Sequence, residues 1–421
     1  RRARPRRPHT TSRRPHRRRP HHATTPAADR GDLHPAPNRT RAVPIHSAGV
    51  MPPSPRPTLP LKVAVVGTGG ISEAHLSFLV GRTSVGPVDG RAVLRAVCDL
   101  SPVAARYAAE TYGAAAHYTD LDELLATESP DVVHVLTPPS THVPLATACL
   151  KAGADVICEK PITANSTDLI DLLATADGLG RRITESHNYR FNRTIEAIRA
   201  AVDNGDLGPV REVEIRIALP VTSPEDRFGD PNLPSPIHAM PAGVIHDFTT
   251  HFAYLLLHFA PGVRFERVAA AWSRHGDNDL FPVDDLDALL IGDGPDGAVH
   301  ARLRFDARTS PDMFSVTVRG AEGFAETDLF QPFLRITKPR PGGSKLSPVV
   351  NHLVNGAGQA RAGLRNLGDK ILQHGPLEGM YEMLDQTYTA LVTGAELPVT
   401  ADDMLAASRL VDLLLSDEVA R

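Results

Sequence analysis

The sequence is poor in cysteine, in aromatic residues and in long apolar runs. Its 421 residues include three cysteines and one tryptophan, and 5% are aromatic. Cys98, Cys149 and Cys158 lack the paired spacing of a zinc site, and an odd, sparse set does not build a disulfide framework. No stretch approaches the roughly 18 to 20 consecutive apolar residues of a membrane span. We therefore expect a cytoplasmic protein of a reducing compartment, with no metal and no membrane partner.

The chain is too long for one ordinary hydrophobic core. At 421 residues it exceeds the length at which cores usually divide, so two domains are expected. An apolar content of 42% is ordinary for a globular protein.

A net charge of -4 conceals an uneven distribution. Residues 1–50 hold 13 of the 45 Lys and Arg residues but 2 of the 49 Asp and Glu residues, which leaves the remaining chain at -15. We interpret residues 1–58, rich in Arg, Pro and His, as a disordered basic extension, because it has too few apolar residues to fold alone. We also expect translation to start near Met51.

Two functional interpretations of this extension are not favoured. A basic run can bind phosphate backbones by charge, but residues 1–50 contain no aromatic side chain that could stack on bases, so we expect no nucleic-acid partner. A twin-arginine export signal would need an apolar segment after the arginines, and none follows.

A strand, a glycine-rich turn and a helix follow one another from residue 61. The mostly valine run Val63–Val66 predicts a strand buried on both faces of a parallel sheet. Gly67, Gly69 and Gly70 then precede "ISEAHLSFLV", whose apolar residues have helical spacing. Glycines permit close approach of a diphosphate, and the helix N-terminus offers free N–H groups to it. Alone, such a turn is weak evidence, since ordinary loops also contain glycine.

The next predicted strand strengthens the prediction of a dinucleotide site, because "LRAVCD" ends at Asp99. An acid at this position accepts hydrogen bonds from the adenosine ribose and repels a 2'-phosphate, which favours NAD over NADP. The interval from Gly67 to Asp99 exceeds the usual spacing of about 20 residues. We interpret "GRTSVGPVDGR" as a loop insertion that accounts for the surplus.

Strands and helices alternate up to residue 184. "DVVHVLTPP" and "ADVICEKP" have the pattern of strands, and "THVPLATACLKAG" that of a helix. This order predicts an α/β domain with a doubly wound parallel sheet over residues 59–184. Ligands bind beyond the carboxyl ends of such strands, where Thr137, Pro138, Glu159 and Lys160 lie. The alternative for Lys160 is a surface lysine paired with Glu159.

The pattern changes after residue 184. "GPVREVEIRIAL", "AVHARLRFD" and "FSVTVRG" alternate apolar and polar residues, as half-exposed antiparallel strands do. We predict a second domain over residues 185–421 with α+β architecture and a large open, mostly antiparallel sheet. Within it, "TSPEDRFGDPNLPSP" is a polar loop that we expect to cover the substrate, and residues 338–376 resemble an insertion broken by glycine and proline.

"HDFTTH" contains a second group of reactive side chains. Asp247 and His251 are four residues apart, so on a helix they share a face. A carboxylate can fix the tautomer of an imidazole that acts as a general base. From these residues alone, the alternative for His251 is a hydrogen-bonded histidine of the core. Zinc binding by His246, Asp247 and His251 is not favoured, because a third suitably spaced ligand is lacking.

Several motifs in this order make the chain resemble the glucose-fructose oxidoreductase, inositol dehydrogenase and rhizopine catabolism family (Gfo/Idh/MocA). They are "GTGGIS", "LTPPSTH", "CEKP", "HNYRF", the Asp247 and His251 helix, and "GAELPVTADDMLAASRLVDLLL". The resemblance covers about residues 61–420. It implies an N-terminal Rossmann domain, an NAD cofactor with NADP possible, and a homo-oligomer, dimer or tetramer, built through the open sheet.

The resemblance also implies roles for individual residues. It places Lys160, Asp247 and His251 in catalysis, with Asp247 orienting His251 and Lys160 holding the substrate oxygen. The cofactor would be bound by Gly67, Gly69, Gly70, Ile71, Asp99, Thr137, Pro138, His142, Glu159 and Lys160. The substrate would contact Lys160, Asn188, Arg190, His246, Asp247 and His251.

We therefore expect an oxidoreductase that interconverts a secondary hydroxyl and a ketone on a sugar, inositol or related polyol. Two alternatives stay open: an NAD-dependent glycoside hydrolase that uses transient redox chemistry, and a non-catalytic NAD-responsive regulator. The substrate and the direction of reaction do not follow from the sequence.

Overall fold

The computed structural model describes residues 58–83, 88, 90–233, 235–340, 343–371 and 377–415. The predicted basic extension lies outside these residues except for its last position. The predicted loop insertion between Gly67 and Asp99 is described only in part.

Six strands of the described chain form a parallel sheet in the order β3-β2-β1-β4-β5-β6. The strands are β1 (Leu61–Val66), β2 (Ala92–Cys98), β3 (Ala116–Tyr118), β4 (Val132–Val135), β5 (Asp155–Cys158) and β6 (Ile183–Glu185). Because the winding direction reverses between β1 and β4, their carboxyl ends border the crevice in which doubly wound sheets bind ligands.

Five α-helices of the described chain connect the strands of this sheet. They are α1 (Ser72–Leu79), α2 (Pro102–Tyr112), α3 (Leu121–Glu128), α4 (His142–Lys151) and α5 (Ser166–Gly178). Side-chain caps begin three of them, because Ser101, Asp120 and Asn165 each accept a hydrogen bond from a first-turn N–H of α2, α3 and α5, respectively.

A second sheet has seven described strands in the order β13-β12-β11-β7-β10-β9-β8. They are β7 (Val210–Ala218), β8 (Arg264–Ser273), β9 (Asp285–Gly294), β10 (Gly297–Asp306), β11 (Met313–Gly320), β12 (Phe324–Asp328) and β13 (Phe333–Thr337). All neighbouring pairs are antiparallel except β7 with β10. The predicted fold class is therefore confirmed.

The remaining helices are α6 (Arg193–Asp203), α7 (Gly243–Phe259), α8 (Gly343–Ile371), α9 (Glu378–Thr393) and α10 (Ala401–Leu415). One apolar core surrounds the first sheet and includes side chains of α9, whereas a second core lies between the second sheet and α6 and α7. Helix α10 contributes Met404 to the first core and Leu410 to the second. The C-terminal helices thus join both cores, and the boundary between residues 184 and 185 stays a prediction.

The segment 338–376 differs from its sequence interpretation. Glycine and proline suggested breaks, but α8 runs continuously from Gly343 to Ile371 with Pro348 inside it. Two asparagines attach this helix to β13 and the residue after it: Asn355 accepts from Ile336 N, and Asn351 donates to Lys338 O. Packing against the edge strand offsets the weak helix propensity of the glycines.

Within the described residues, no helix combines the length and apolar character needed to cross a membrane.

Candidate active site

The glycine-rich turn brings the ends of β1 and β4 into close contact. Gly67 has a φ of +91°, and a Cβ at this position would lie 2.8 Å from the Leu136 backbone. Only glycine meets both requirements. Gly69 has nothing within 4 Å of such a Cβ, so this part of the turn is open to a ligand. Ser72, where a third glycine or alanine is usual, closes the turn by donating to Gly69 O at 2.6 Å.

Asp99 is attached to the same turn. One carboxylate oxygen accepts from Thr68 N at 2.9 Å and from Thr68 Oγ1 at 2.8 Å, and the other accepts from Ser101 N at 2.9 Å. Partial burial alone would raise the pKa of Asp99, but the hydrogen bonds from Ser101 and Thr68 outweigh it and lower the pKa. Asp99 is therefore a fixed negative charge at the end of β2.

A cavity of about 740 Å³ opens from this turn toward α7. Its size lies within the range typical of ligand sites. Most of the predicted site residues line it: Gly67, Gly69, Gly70, Ile71, Asp99, Thr137, Pro138, Glu159, Lys160, Asn188, Asp247 and His251. The two groups of reactive side chains, 87 residues apart in the sequence, therefore share one cavity.

Lys160 and Asp247 form an ion pair in the cavity wall. Lys160 Nζ lies 2.5 Å from Asp247 Oδ2 and 3.3 Å from Asp247 O. The ammonium also lies 5.5 Å from the centre of the Phe248 ring. The two charged side chains are 14% and 8% exposed. Because solvent screens a pair this sheltered only weakly, the two charges attract each other more strongly than they would in water.

His251 is held by tyrosine rather than by Asp247. Its Nδ1 lies 2.7 Å from the hydroxyl of Tyr254, which also donates to Asn188 Oδ1 and accepts from Tyr189 N, both at 3.3 Å. If Tyr254 donates to Asn188, the ring Nδ1 of His251 must carry the hydrogen, which leaves Nε2 as a proton acceptor. In this arrangement the hydroxyl of Tyr254 sets the tautomer of His251.

The predicted hydrogen bond from Asp247 to His251 is absent from the described structure. Both residues lie on α7, one turn apart, as the spacing predicts. The carboxylate of Asp247, however, turns to the ammonium of Lys160, because an opposite charge attracts it more strongly than a neutral ring does. Burial, together with the nearby positive charge of Lys160, holds the pKa of His251 well below its usual value.

Glu159 is supported by a chain of buried side chains that the sequence analysis did not find. Tyr388 OH lies 2.8 Å from His134 Nε2, His134 Nδ1 lies 2.8 Å from His75 Nδ1, and His75 Nε2 lies 3.4 Å from Glu159. A carboxylate only accepts, so His75 Nε2 donates to Glu159. Burial alone would raise the pKa of Glu159, but the contacts with His75, Lys160 and Ser186 together outweigh it and lower the pKa.

Three predicted site residues do not line the cavity. His142 is buried, and its ring nitrogens contact Pro161 O and Thr137 O, so it holds the end of β4 in place. Arg190 donates to Asp403 at 3.0 Å. His246 directly precedes Asp247 on α7, so its side chain points to another side of the helix. There it is buried, with 1% exposed. Direct ligand contact by these three side chains is not supported.

Other cavity residues escaped the sequence analysis, notably Arg227 and Phe248. Arg227 is the single arginine of the polar loop that we expected to cover the substrate. Its position in that loop was the sequence feature that could have identified it. Tyr254 lies three residues after His251 in an apolar helical segment, a pattern that indicates an ordinary aromatic residue of the core. No group of three or more side chains able to hold a metal ion occurs among the described residues.

Residues 61–187 match the profile of an oxidoreductase family with an NAD-binding Rossmann fold, the Gfo/Idh/MocA family. Residues 61–187, which include the parallel sheet, are therefore similar to this family. The predicted family is confirmed, and NAD as the cofactor agrees with the family's description.

Two relatives with assigned activities match over limited regions. Myo-inositol 2-dehydrogenase of Thermotoga maritima is 26% identical over 231 residues, which are 55% of this chain and 64% of that protein. Inositol 2-dehydrogenase 1 of Saccharopolyspora erythraea is 35% identical over 150 residues, which are 35% of this chain and 43% of that protein. Both matches span less than two thirds of the relative.

The likeness of fold extends further than these sequence matches. The crystal structure of myo-inositol 2-dehydrogenase from Lactobacillus plantarum superposes with a TM-score of 0.64 at 18% identity. The superposition covers 84% of this chain and 95% of that one. Both sheets of the chain are therefore part of a known architecture.

Proposed function

We propose that the chain is an NAD-dependent dehydrogenase that interconverts a secondary hydroxyl and a ketone on a sugar, inositol or related polyol. The observation that carries this proposal is the convergence of Lys160, Asp247 and His251 on the cavity that opens from the glycine-rich turn. A carbinol oxygen in this cavity would meet a positive charge and a neutral imidazole at the same time.

The residues present fit NAD. Gly67 permits the close approach of β1 and β4, Gly69 leaves its side of the turn open, and Asp99 places a carboxylate at the end of β2. The glycine-rich turn and the helix N-terminus would hold the diphosphate, and Asp99 would hold the adenosine ribose. When bound, NAD supplies the hydride chemistry that no side chain can provide.

Two side chains would handle the substrate oxygen and its proton, and two others would position them. In alcohol oxidation, His251 Nε2 takes the hydroxyl proton while Lys160 stabilises the negative charge that develops on the oxygen. Asp247 keeps the ammonium of Lys160 in place, and Tyr254 keeps the proton of His251 on Nδ1. The reduction of a ketone uses the same groups in reverse, with a protonated His251 returning the proton.

The assigned activities of relatives support this substrate class. They include D-glucoside 3-dehydrogenase of Escherichia coli, which is 32% identical over 152 residues, besides the inositol dehydrogenases. All of these names describe oxidation at a ring hydroxyl, which is the reaction that the proposed groups would perform.

A panel of inositols, free sugars, glycosides and nucleotide sugars tests the proposal. Full-length protein is incubated with each compound and with NAD or NADP, and the absorbance of the reduced nicotinamide is followed. We expect turnover with at least one polyol and none with the Lys160→Met, His251→Gln double variant. Glycoside cleavage without net NADH would instead indicate the hydrolase, and NADH binding without turnover of any compound would indicate the regulator.

A further inference from the structure

Arg227 is a positive charge at the glycine-rich turn that comes from the other half of the chain. It lies in the loop of residues 219–242, between β7 and α7, of which residue 234 is not described. Its Nη1 is 3.9 Å from the position that a Cβ on Gly70 would occupy. Arg227 and Lys160 are the Lys and Arg side chains that line the cavity in the described chain.

These two cations differ in their partners. Lys160 is paired with Asp247. Arg227 is exposed, and within the described structure its guanidinium has a ring contact, 4.4 Å from the centre of Phe228, but no hydrogen bond or ion pair. An arginine without an anionic partner, directed at a turn of exposed N–H groups, is suited to bind an anion there.

The loop presents Arg227 in a defined position. On either side of it, Asp226 Oδ1 accepts from Phe228 N at 2.8 Å, and Asn278 Nδ2 donates to Thr222 O at 3.0 Å and to Gly229 O at 2.8 Å. A Cβ on Gly229 would lie 1.9 Å from Ser223 O, so this tight loop requires glycine. His238 also lies 2.9 Å from Phe228 O. The loop therefore holds its backbone before any ligand arrives, which lowers the entropic cost of binding.

The charges around the cavity explain why a cation is needed. Asp99, Glu159 and Asp247 place three carboxylates in its wall, and Asp247 alone is paired with a lysine there. A dinucleotide brings a further negative charge on each phosphate of its diphosphate. Backbone N–H groups and a helix N-terminus supply partial charges only.

We infer that Arg227 binds the diphosphate of NAD, so that the second half of the chain closes the cofactor site over the glycine-rich turn. This inference rests on the proposed function for the identity of the ligand. The planar guanidinium donates to one or both phosphates from the side opposite the backbone N–H groups. Cofactor affinity then depends on both halves of the chain and weakens as salt screens the contact.

Binding measurements on full-length variants test this role. The probes are NADH, ADP and adenosine, and the variants are Arg227→Ala, Arg227→Lys and Arg409→Ala, the last removing an exposed arginine of α10 outside the cavity. We expect Arg227→Ala to weaken NADH and ADP binding by roughly tenfold or more, the effect of losing a hydrogen bond to a charged group. Adenosine, which has no phosphate, should bind all variants equally, and Arg227→Lys should be intermediate.

The outcomes separate this inference from the proposed function. Equal NADH affinity of wild type and Arg227→Ala would overturn the role of Arg227 while leaving the dehydrogenase proposal intact. An equal loss for ADP and adenosine would also overturn it, because the loop would then act by shaping the cavity. The predicted pattern of affinities in a protein that oxidises no polyol would support the diphosphate contact and refute the dehydrogenase.

Discussion

The ammonium of Lys160 and the carboxylate of Asp247 are 2.5 Å apart and connect the end of β5 to helix α7. This contact couples the parallel sheet to the helix that carries His251. Removing either partner leaves the other charge sheltered and unpaired, which typically costs more than the pair itself contributes. The pair therefore serves both the position of the proposed catalytic lysine and the attachment of the two halves of the chain.

Lys160→Met and His251→Gln should each lower kcat by roughly 100-fold or more, the usual effect of losing an acid–base or oxyanion-stabilising group. NADH affinity should remain near that of wild type, since neither side chain holds the adenosine or diphosphate portion. Steady-state kinetics and NADH titration check this. Lys151→Met, at the exposed end of α4, is the control. Near-normal turnover in both active-site variants would refute the assignment.

Tyr254→Phe should lower kcat by roughly tenfold through the loss of one buried hydrogen bond to His251, with little effect on KM. In wild type, burial and the charge of Lys160 lower the pKa of His251, so its neutral, proton-accepting form persists at neutral pH. Oxidation should therefore slow only in acid, well below pH 6.5. In the variant, the pH at which kcat/KM falls should shift, because the tyrosine hydroxyl no longer fixes the proton on Nδ1.

The matched control for Tyr254 is Tyr118→Phe, which removes a tyrosine hydroxyl that donates to Glu128 at 2.9 Å outside the cavity. Its kcat and pH profile should equal those of wild type. A Tyr254→Phe enzyme with an unchanged pH profile and a lowered melting temperature would mean that the hydroxyl only stabilises the fold.

Much of the parallel sheet could be predicted because its signals are local. Glycines mark the turn after β1, apolar runs mark the strands, and a charged residue at a strand end marks the ligand edge, as for Lys160. The family resemblance then linked Lys160 to His251, and the cavity shared by both agrees with that link.

The partners within the site could not be predicted in the same way. Helical spacing correctly put Asp247 and His251 on one face of α7. It could not show that Asp247 would pair with Lys160, at the end of β5, rather than with the imidazole of His251. The role of Tyr254 depends on Asn188 and Tyr189, which reach it from a distant part of the chain. Contacts that depend on tertiary packing leave no periodic signal in the sequence.

Asp99→Asn should shift cofactor preference toward NADP. The amide oxygen can still accept from Thr68, the bond to Ser101 N is lost because the NH2 group cannot accept, and the negative charge that repels a 2'-phosphate is removed. We expect the ratio of kcat/KM for NADP to that for NAD to rise by roughly tenfold or more, since like-charge contacts are costly. Thr68→Val is the control, because it removes a hydrogen bond to Asp99 at 2.8 Å and keeps the charge. If the kcat/KM ratio rose equally in both variants, the shape of the turn rather than the charge of Asp99 would determine the preference for NAD.

His246 should make the fold sensitive to acid. Burial lowers its pKa from 6.5 to about 4, against the opposing charges of Asp247 and Asp412. Below pH 6.5 the unfolded chain binds a proton that the folded protein does not. The stability contributed by the neutral ring is therefore fully present above that pH and declines toward pH 4, by about 1.4 kcal/mol per pH unit.

His246→Leu should remove this dependence, so that the loss of unfolding free energy between pH 7 and pH 5 shrinks by about 2 kcal/mol. Urea unfolding at the two pH values measures it, and the exposed His352→Leu should leave the loss unchanged. Turnover by His246→Leu should stay near that of wild type, because His246 is 1% exposed and does not line the cavity. A collapse of turnover with an unaltered pH dependence would return His246 to substrate binding, as the family resemblance first implied.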